Sequence, residues 1–140
     1  MNLDKLKRSL ITHEGVRTKP YMDTGGAITI GVGHNLTANG IPMTMVWSLL
    51  EADVIVAIAS MGYYPWFDDL DDVRQRVMVE MMFNLGPGRL GEFHRLLSAM
   101  HDRDYEAAAL EMMRSTWATQ VGIRATHLAE MMRVGKDHGE

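Results

Sequence analysis

Glu14, Asp23 and Thr29 are the residues whose types and spacing point to a definite chemistry. Glu14 falls where an amphipathic helix should end. Asp23 lies nine residues on, in the turn-forming run Asp23-Thr24-Gly25-Gly26, and Thr29 follows six residues later in a β-branched stretch. A helix end and a facing hairpin can hold two carboxylates across a groove without direct contact, which is what glycoside hydrolysis needs. One protonated acid gives its proton to the leaving oxygen, while a carboxylate on the far side orients water or steadies developing positive charge. A carboxyl at a helix C-terminus sits at the negative end of the helix dipole, which favours the protonated form. Glu14 therefore reads as the general acid and Asp23, at a polar turn, as the base. Spacing alone leaves another reading open, a surface helix-end acid followed by an ordinary turn aspartate.

These residues need elements to position them. Leu3, Leu6, Leu10 and Ile11 recur at three-to-four spacing, which predicts a helix over 3–13 with Gly15 as its stop. The segment 21–33, β-branched and punctuated by glycine, reads as a small hairpin or meander that must lean on helices. Residues 34–42 read as loop. A long helix over about 43–60 carries Val46, Leu49, Leu50, Val54, Ala57 and Ile58 on its apolar side, and Tyr63-Tyr64-Pro65-Trp66 breaks it. Asp69 to Asp72 open the next helix, whose stripe Val73, Val77, Met81 and Leu85 ends at Gly86-Pro87-Gly88. Three shorter helices are predicted over about 90–101, 104–114 and 123–133. The expected fold is α+β and mostly α-helical, one domain over 1–140. It comprises a β-containing lobe (about 12–42), a connecting helix (about 43–60) and a helical lobe (about 65–134), and a cleft between unequal lobes is a default place for a ligand.

Composition bounds the remaining possibilities. The 140 residues, 46% hydrophobic and 23% charged, have ordinary globular composition, which excludes wholesale disorder. The absence of cysteine removes disulfides, thiolate metal sites and a cysteine nucleophile together. A net charge of −4, from 14 Lys+Arg against 18 Asp+Glu, argues against a nucleic-acid binder. No apolar run is expected to approach the ~18 residues of a membrane span. Asp4, Lys5, Lys7 and Arg8 among the first leucines leave no signal-peptide core. The charges are uneven: residues 1–20 hold five Lys/Arg, whereas residues 51–72 hold six acids and no base, read as a solvated surface. His34 and Asp53 are assigned a structural role, as an ion pair tying the small lobe to the long helix. His94, His101, His127 and His138 lack metal-ligand spacing and read as surface or helix residues. The methionine stripes read as core filler. Trp47, Trp66 and Trp117 read as packing residues, and Gly31 and Gly33 as sites of close backbone approach.

Beyond this residue-level reading, the chain resembles a known family. His13-Glu14-Gly15, followed by Tyr21-x-Asp23-Thr24-Gly25-Gly26-x-x-Thr29-Ile30-Gly31-Val32-Gly33-His34, is similar to the signature of the phage-type lysozymes, the endolysin family of the T-even phage enzyme (glycoside hydrolase family 24). Met81-Met82-Phe83-Asn84-Leu85-Gly86 and Ser115-x-Trp117-x-x-Gln120-x-Gly122-x-Arg124 extend the likeness over about residues 3–134. The resemblance implies a lysozyme-like two-lobe fold and hydrolysis of the β-1,4 bond between N-acetylmuramic acid and N-acetylglucosamine in peptidoglycan. It makes Glu14 the general acid and has Asp23 and Thr29 hold the attacking water, with inversion at the anomeric carbon. Phe83, Asn35 and Arg124 become substrate contacts, and neither metal nor organic cofactor is needed. It further implies a monomer without stable membrane insertion, made in the host cytoplasm and reaching the wall after holin-assisted permeabilisation. Three departures stand out: the stretch after His34 is shortened, Leu96 and Glu111 replace polar sugar contacts, and His127 takes a place often held by arginine. An acidic enzyme facing an acidic polymer is expected to rely on local basic patches, with segment 51–72 away from the glycan. The alternative functions are a lytic transglycosylase, using Glu14 alone on the same bond, and a non-catalytic wall-binding or virion module.

Overall fold

A computed structural model describes all 140 residues, and the chain divides into two compact units, Met1–Leu49 and Leu50–Glu140. The division falls inside the long helix rather than beside it.

In the first unit, helix α1 (Leu3–Glu14) begins at Asn2, whose side-chain oxygen accepts from the Lys5 N–H at 2.9 Å, and stops at Gly15, with φ +77°. A three-stranded antiparallel sheet follows in the order β1 (Arg17–Met22), β2 (Ile28–Gly31), β3 (His34–Asn35). Strand therefore starts earlier than the expected 21, and β1 is irregular between Arg17 and Tyr21, around Pro20, which has no N–H to give the ladder. The expected loop over 34–42 contains β3 and a single helical turn, α2 (Leu36–Asn39). Asn35 caps α2 by accepting from the Ala38 N–H at 2.9 Å, and Thr37 accepts from the Ile28 N–H at 2.8 Å, which ties α2 to the sheet.

Helix α3 (Met43–Met61) is 19 residues long and apolar enough to cross a membrane, contrary to the expectation that no such run exists. Its only charges, Glu51 and Asp53, lie at its centre, where each acid costs about 2.5–3.5 kcal/mol in a bilayer. That placement opposes a span. Trp47, expected to pack, is exposed.

The second unit holds the core. Helix α4 (Asp72–Gly91) is capped by Asp71, and its continuous helical path ends at Gly86, as expected. Gly86 breaks the helical path with φ +79°, and Pro87 restarts it. Proline is tolerated in a first turn, where its missing N–H would have had no helical partner. Helices α5 (His94–His101), α6 (Tyr105–Arg114), α7 (Thr116–Val121) and α8 (Ile123–Val134) follow, and α7 was not foreseen. Helix α8 packs against α4, α6 and α7, and α6 also packs against α5. Met61, Met78, Met81, Met100, Met112 and Met132 are completely buried, so the methionine stripes of the second unit are core apart from Met113, which faces solvent, as do Met22, Met43 and Met45 of the first unit.

Arg74 locks the end of α8. Its Nε donates to the Met132 carbonyl at 2.7 Å and its Nη2 to the Arg133 carbonyl at 3.0 Å, while the guanidinium lies 3.8 Å from the Tyr105 ring centre. Gly135, with φ +70°, leaves room for it, since a Cβ there would sit 2.8 Å from Arg74 Nη1. Burial pushes the Asp71 carboxyl up, but the Arg74 backbone N–H and guanidinium outweigh this and hold it below the usual carboxylate range.

Candidate active site

All three candidate catalytic residues lie in the first unit, each held by local backbone devices. Glu14 is the last residue of α1, and the turn at Gly15 directs the chain into β1. Its carboxylate lies against the backbone of Gly33, in the turn between β2 and β3. A Cβ built at Gly33 would stand 2.9 Å from Glu14 Oε2 and 3.0 Å from its Cδ. Gly33 has φ +63°, so both backbone conformation and space favour glycine there. The expected close approach at Gly33 is present, and the approaching group is the Glu14 carboxylate.

Asp23 sits in the β1–β2 connection. Its Oδ1 accepts from the N–H groups of Gly25 at 2.9 Å and Ala27 at 2.8 Å, which leaves Oδ2 outside the turn's hydrogen bonds. Thr29 is in the central strand, opposite Tyr21 on one side and Asn35 on the other. It is 3% exposed and the only buried residue of this unit. Its hydroxyl donates to the Ala27 carbonyl at 3.1 Å, so its oxygen lone pairs remain available as acceptors. Asp23 and Thr29 therefore converge on Ala27, one accepting from its N–H and the other donating to its carbonyl.

The remaining predicted residues divide between the units. His34 reaches the Gly40 carbonyl through Nε2 and fastens the end of α2 to β3. Asn35 has its side-chain oxygen engaged in capping α2, leaving the amide nitrogen for other partners. In the second unit, Asp53 and the half-exposed Phe83 line one small hollow of about 220 Å³ with Ser60 and Gly86. Phe83 also borders a larger apolar groove of about 600 Å³ that includes Arg124. Arg124 Nε donates to Glu80 Oε1 at 2.9 Å. Trp117, expected to pack, is 2% exposed, and its indole N–H donates to Asn84 Oδ1 at 2.8 Å. A groove of about 580 Å³ lined by Arg89, Arg95 and Arg114 was not anticipated, because its walls come from segments some twenty residues apart.

The phage lysozyme family profile matches residues 11–131. Two proteins of Dictyostelium discoideum described as probable T4-type lysozymes 2 and 1 are 26% and 24% identical to the chain, each alignment covering 95% of it and 96% of the relative. The pre-baseplate central spike protein Gp5 of Enterobacteria phage T4 is 28% identical over 87% of the chain, which matches 26% of that larger protein. With a family match across most of its length and relatives aligned over nearly all of it, the chain belongs to the phage lysozyme family and is a lysozyme-type glycan hydrolase.

Proposed function

We propose that the protein is a muramidase that cleaves the β-1,4 bond between N-acetylmuramic acid and N-acetylglucosamine, with inversion. Glu14 donates a proton to the glycosidic oxygen. A water on the opposite face of the ring is held by Asp23 Oδ2 and the Thr29 hydroxyl oxygen, Asp23 takes its proton, and the hydroxide equivalent attacks the anomeric carbon. The observation that carries this reading is the division of labour at Asp23 and Thr29. One Asp23 oxygen and the Thr29 hydroxyl proton are committed to the Ala27 turn, so Asp23 Oδ2 and the Thr29 lone pairs are left as acceptors. Two acceptors on a rigid turn suit the placement of a water. Phe83, Asn35 and Arg124 are assigned to saccharide contact.

The test uses purified sacculi with wild type, Glu14→Gln and Asp23→Ala. Wild type should release reducing ends, and Glu14→Gln should release none while unfolding at the same denaturant concentration. Proton NMR of the first product should show the inverted anomer. Full activity in Glu14→Gln refutes the assignment. A product lighter by one water refutes hydrolysis in favour of transglycosylation.

A further inference from the structure

We propose that helix α3 pairs antiparallel with α3 of a second copy of this chain, through the face it turns away from its own core. Ala57 and Met61 belong to the buried core, with the half-buried Val54 beside them. On the opposite side Met45, Leu49, Ala52, Val56 and Ala59 recur at alternating steps of four and three residues. That is the period of a seam between paired helices. All five are exposed, Met45 by 50%, Leu49 by 52% and Val56 by 64%. At about 100° per residue, Glu51 and Asp53 fall at the two edges of this seam, and the helix carries no other charge.

The chemistry of this face selects its occupant. A lipid surface is a poor match, because helices that lie on membranes carry Lys and Arg along their polar side. No Lys or Arg occurs between Lys19 and Arg74. The seam is instead complementary to itself. A two-fold axis between Leu50 and Glu51 sets Met45 against the partner's Val56 and Leu49 against the partner's Ala52, so large side chains meet smaller ones. Direction follows from charge. Residues 1–49 hold five Lys/Arg against three acids, +2, whereas residues 50–140 hold nine against fifteen, −6. The chain divides inside α3, so antiparallel pairing sets the helix stretch of each +2 unit against that of the partner's −6 unit. Parallel pairing would bring the two −6 units side by side and align the helix dipoles, both unfavourable. A seam of one 19-residue helix is at the small end of specific interfaces, below about 1,200 Å², so the dimer is expected to be weak.

The test is sedimentation equilibrium of the full chain at low salt, from about 1 µM to about 1 mM. The apparent mass should rise from 15.8 kDa toward twice that value. Ala52→Lys changes an exposed site and buries an unpaired charge only in the dimer, so it should raise the dissociation constant at least about tenfold. An unfolding midpoint equal to that of wild type will show that this variant is folded. A second arm does not depend on it. The chain has no cysteine, so introduced ones report direction. Met45→Cys and Val56→Cys proteins, mixed under mild oxidation, should join in a disulfide. Met45→Cys alone should not, because its two copies would lie about 16 Å apart along the seam, beyond the reach of a disulfide. A mass that stays at 15.8 kDa, or pairing that survives Ala52→Lys, overturns the proposal. So does cross-linking of Met45→Cys with itself as fast as with Val56→Cys. Cosedimentation with phosphatidylglycerol vesicles, with no rise in mass in their absence, would assign the face to lipid and also overturn it. The readout is mass rather than activity, so its failure is separate from a failure of wild type to release reducing ends.

Discussion

Replacing Gly33 with alanine tests whether the backbone beside Glu14 sets the position of the acid. The variant carries two effects, and Gly31→Ala separates them. Gly31 and Gly33 have nearly the same backbone conformation, φ +68° and +63°, so alanine at either position meets the left-handed penalty of about 1–2 kcal/mol. Only at Gly33 does the new methyl group meet anything: Glu14 Oε2 at 2.9 Å, Cδ at 3.0 Å and Cγ at 3.2 Å, against nothing within 4 Å at Gly31. Ordinary contact begins at 3.4 Å, so the carboxylate must retreat by about 0.5 Å. The end of a glutamate side chain moves at little cost in stability, but not in catalysis, since a misplacement of about 1 Å can cost about 10²-fold. Half that displacement implies roughly a tenfold loss in kcat for Gly33→Ala beyond any loss in Gly31→Ala, with KM little changed and the two unfolding free energies alike. Initial rates of reducing-end release and urea unfolding of both variants measure these quantities. If Gly33→Ala is as active as Gly31→Ala, the Glu14–Gly33 contact does not place the acid.

Two further perturbations probe the second unit. Asn84→Ala leaves the indole N–H of the buried Trp117 without its acceptor at 2.8 Å, and should cost about 1–3 kcal/mol by urea unfolding, with Asn84→Asp recovering most of it. Asp71 is held below the usual carboxylate range in the folded protein, so its contribution is fully present above its unfolded value near pH 4 and is lost as pH falls through the lower folded value. Asp71→Asn keeps an N-cap but removes the titration. The stability difference between wild type and this variant should therefore be constant above about pH 5 and shrink below about pH 4, and a difference unchanged at low pH would contradict the assignment.

What could be read from the amino-acid sequence follows from how local each feature is. Glu14, Asp23 and Thr29 sit on consecutive elements, so turn chemistry and spacing alone bring them into one unit. The start and stop of α1 are equally local, set by Asn2 and Gly15. The end of the first helical path of α4 is local too, set by the positive-φ Gly86 and the proline that follows it, whereas the restart from Pro87 to Gly91 is too short to show a period. Helix α7 spans only six residues, too few to show a period, although its Ser115 cap and Gly122 stop are both present. The Arg74 clamp had no local signal, because its carbonyl partners lie 58 and 59 residues away. The arginine groove was hidden for the same reason.

The first unit holds its geometry in an unusual way. Every apolar residue of the buried core lies at Ala57 or beyond, and within Met1–Leu49 only Thr29 is buried. Hydrophobic burial inside this unit therefore cannot be what positions Glu14, Asp23 and Thr29. That task falls to directional contacts: Asp23 with the Gly25 and Ala27 N–H groups, Thr29 with the Ala27 carbonyl, Thr37 with Ile28, Asn35 with Ala38, and His34 with Gly40. Each such bond is worth only about 0.5–1.5 kcal/mol net, but each fixes a direction, which nonpolar packing does not. A site held this way has little stability to spare and depends strongly on the residue types at its turns. That accounts for why glycines, short polar side chains and a positive-φ turn recur through 23–40, and why the same stretch carries the family's signature.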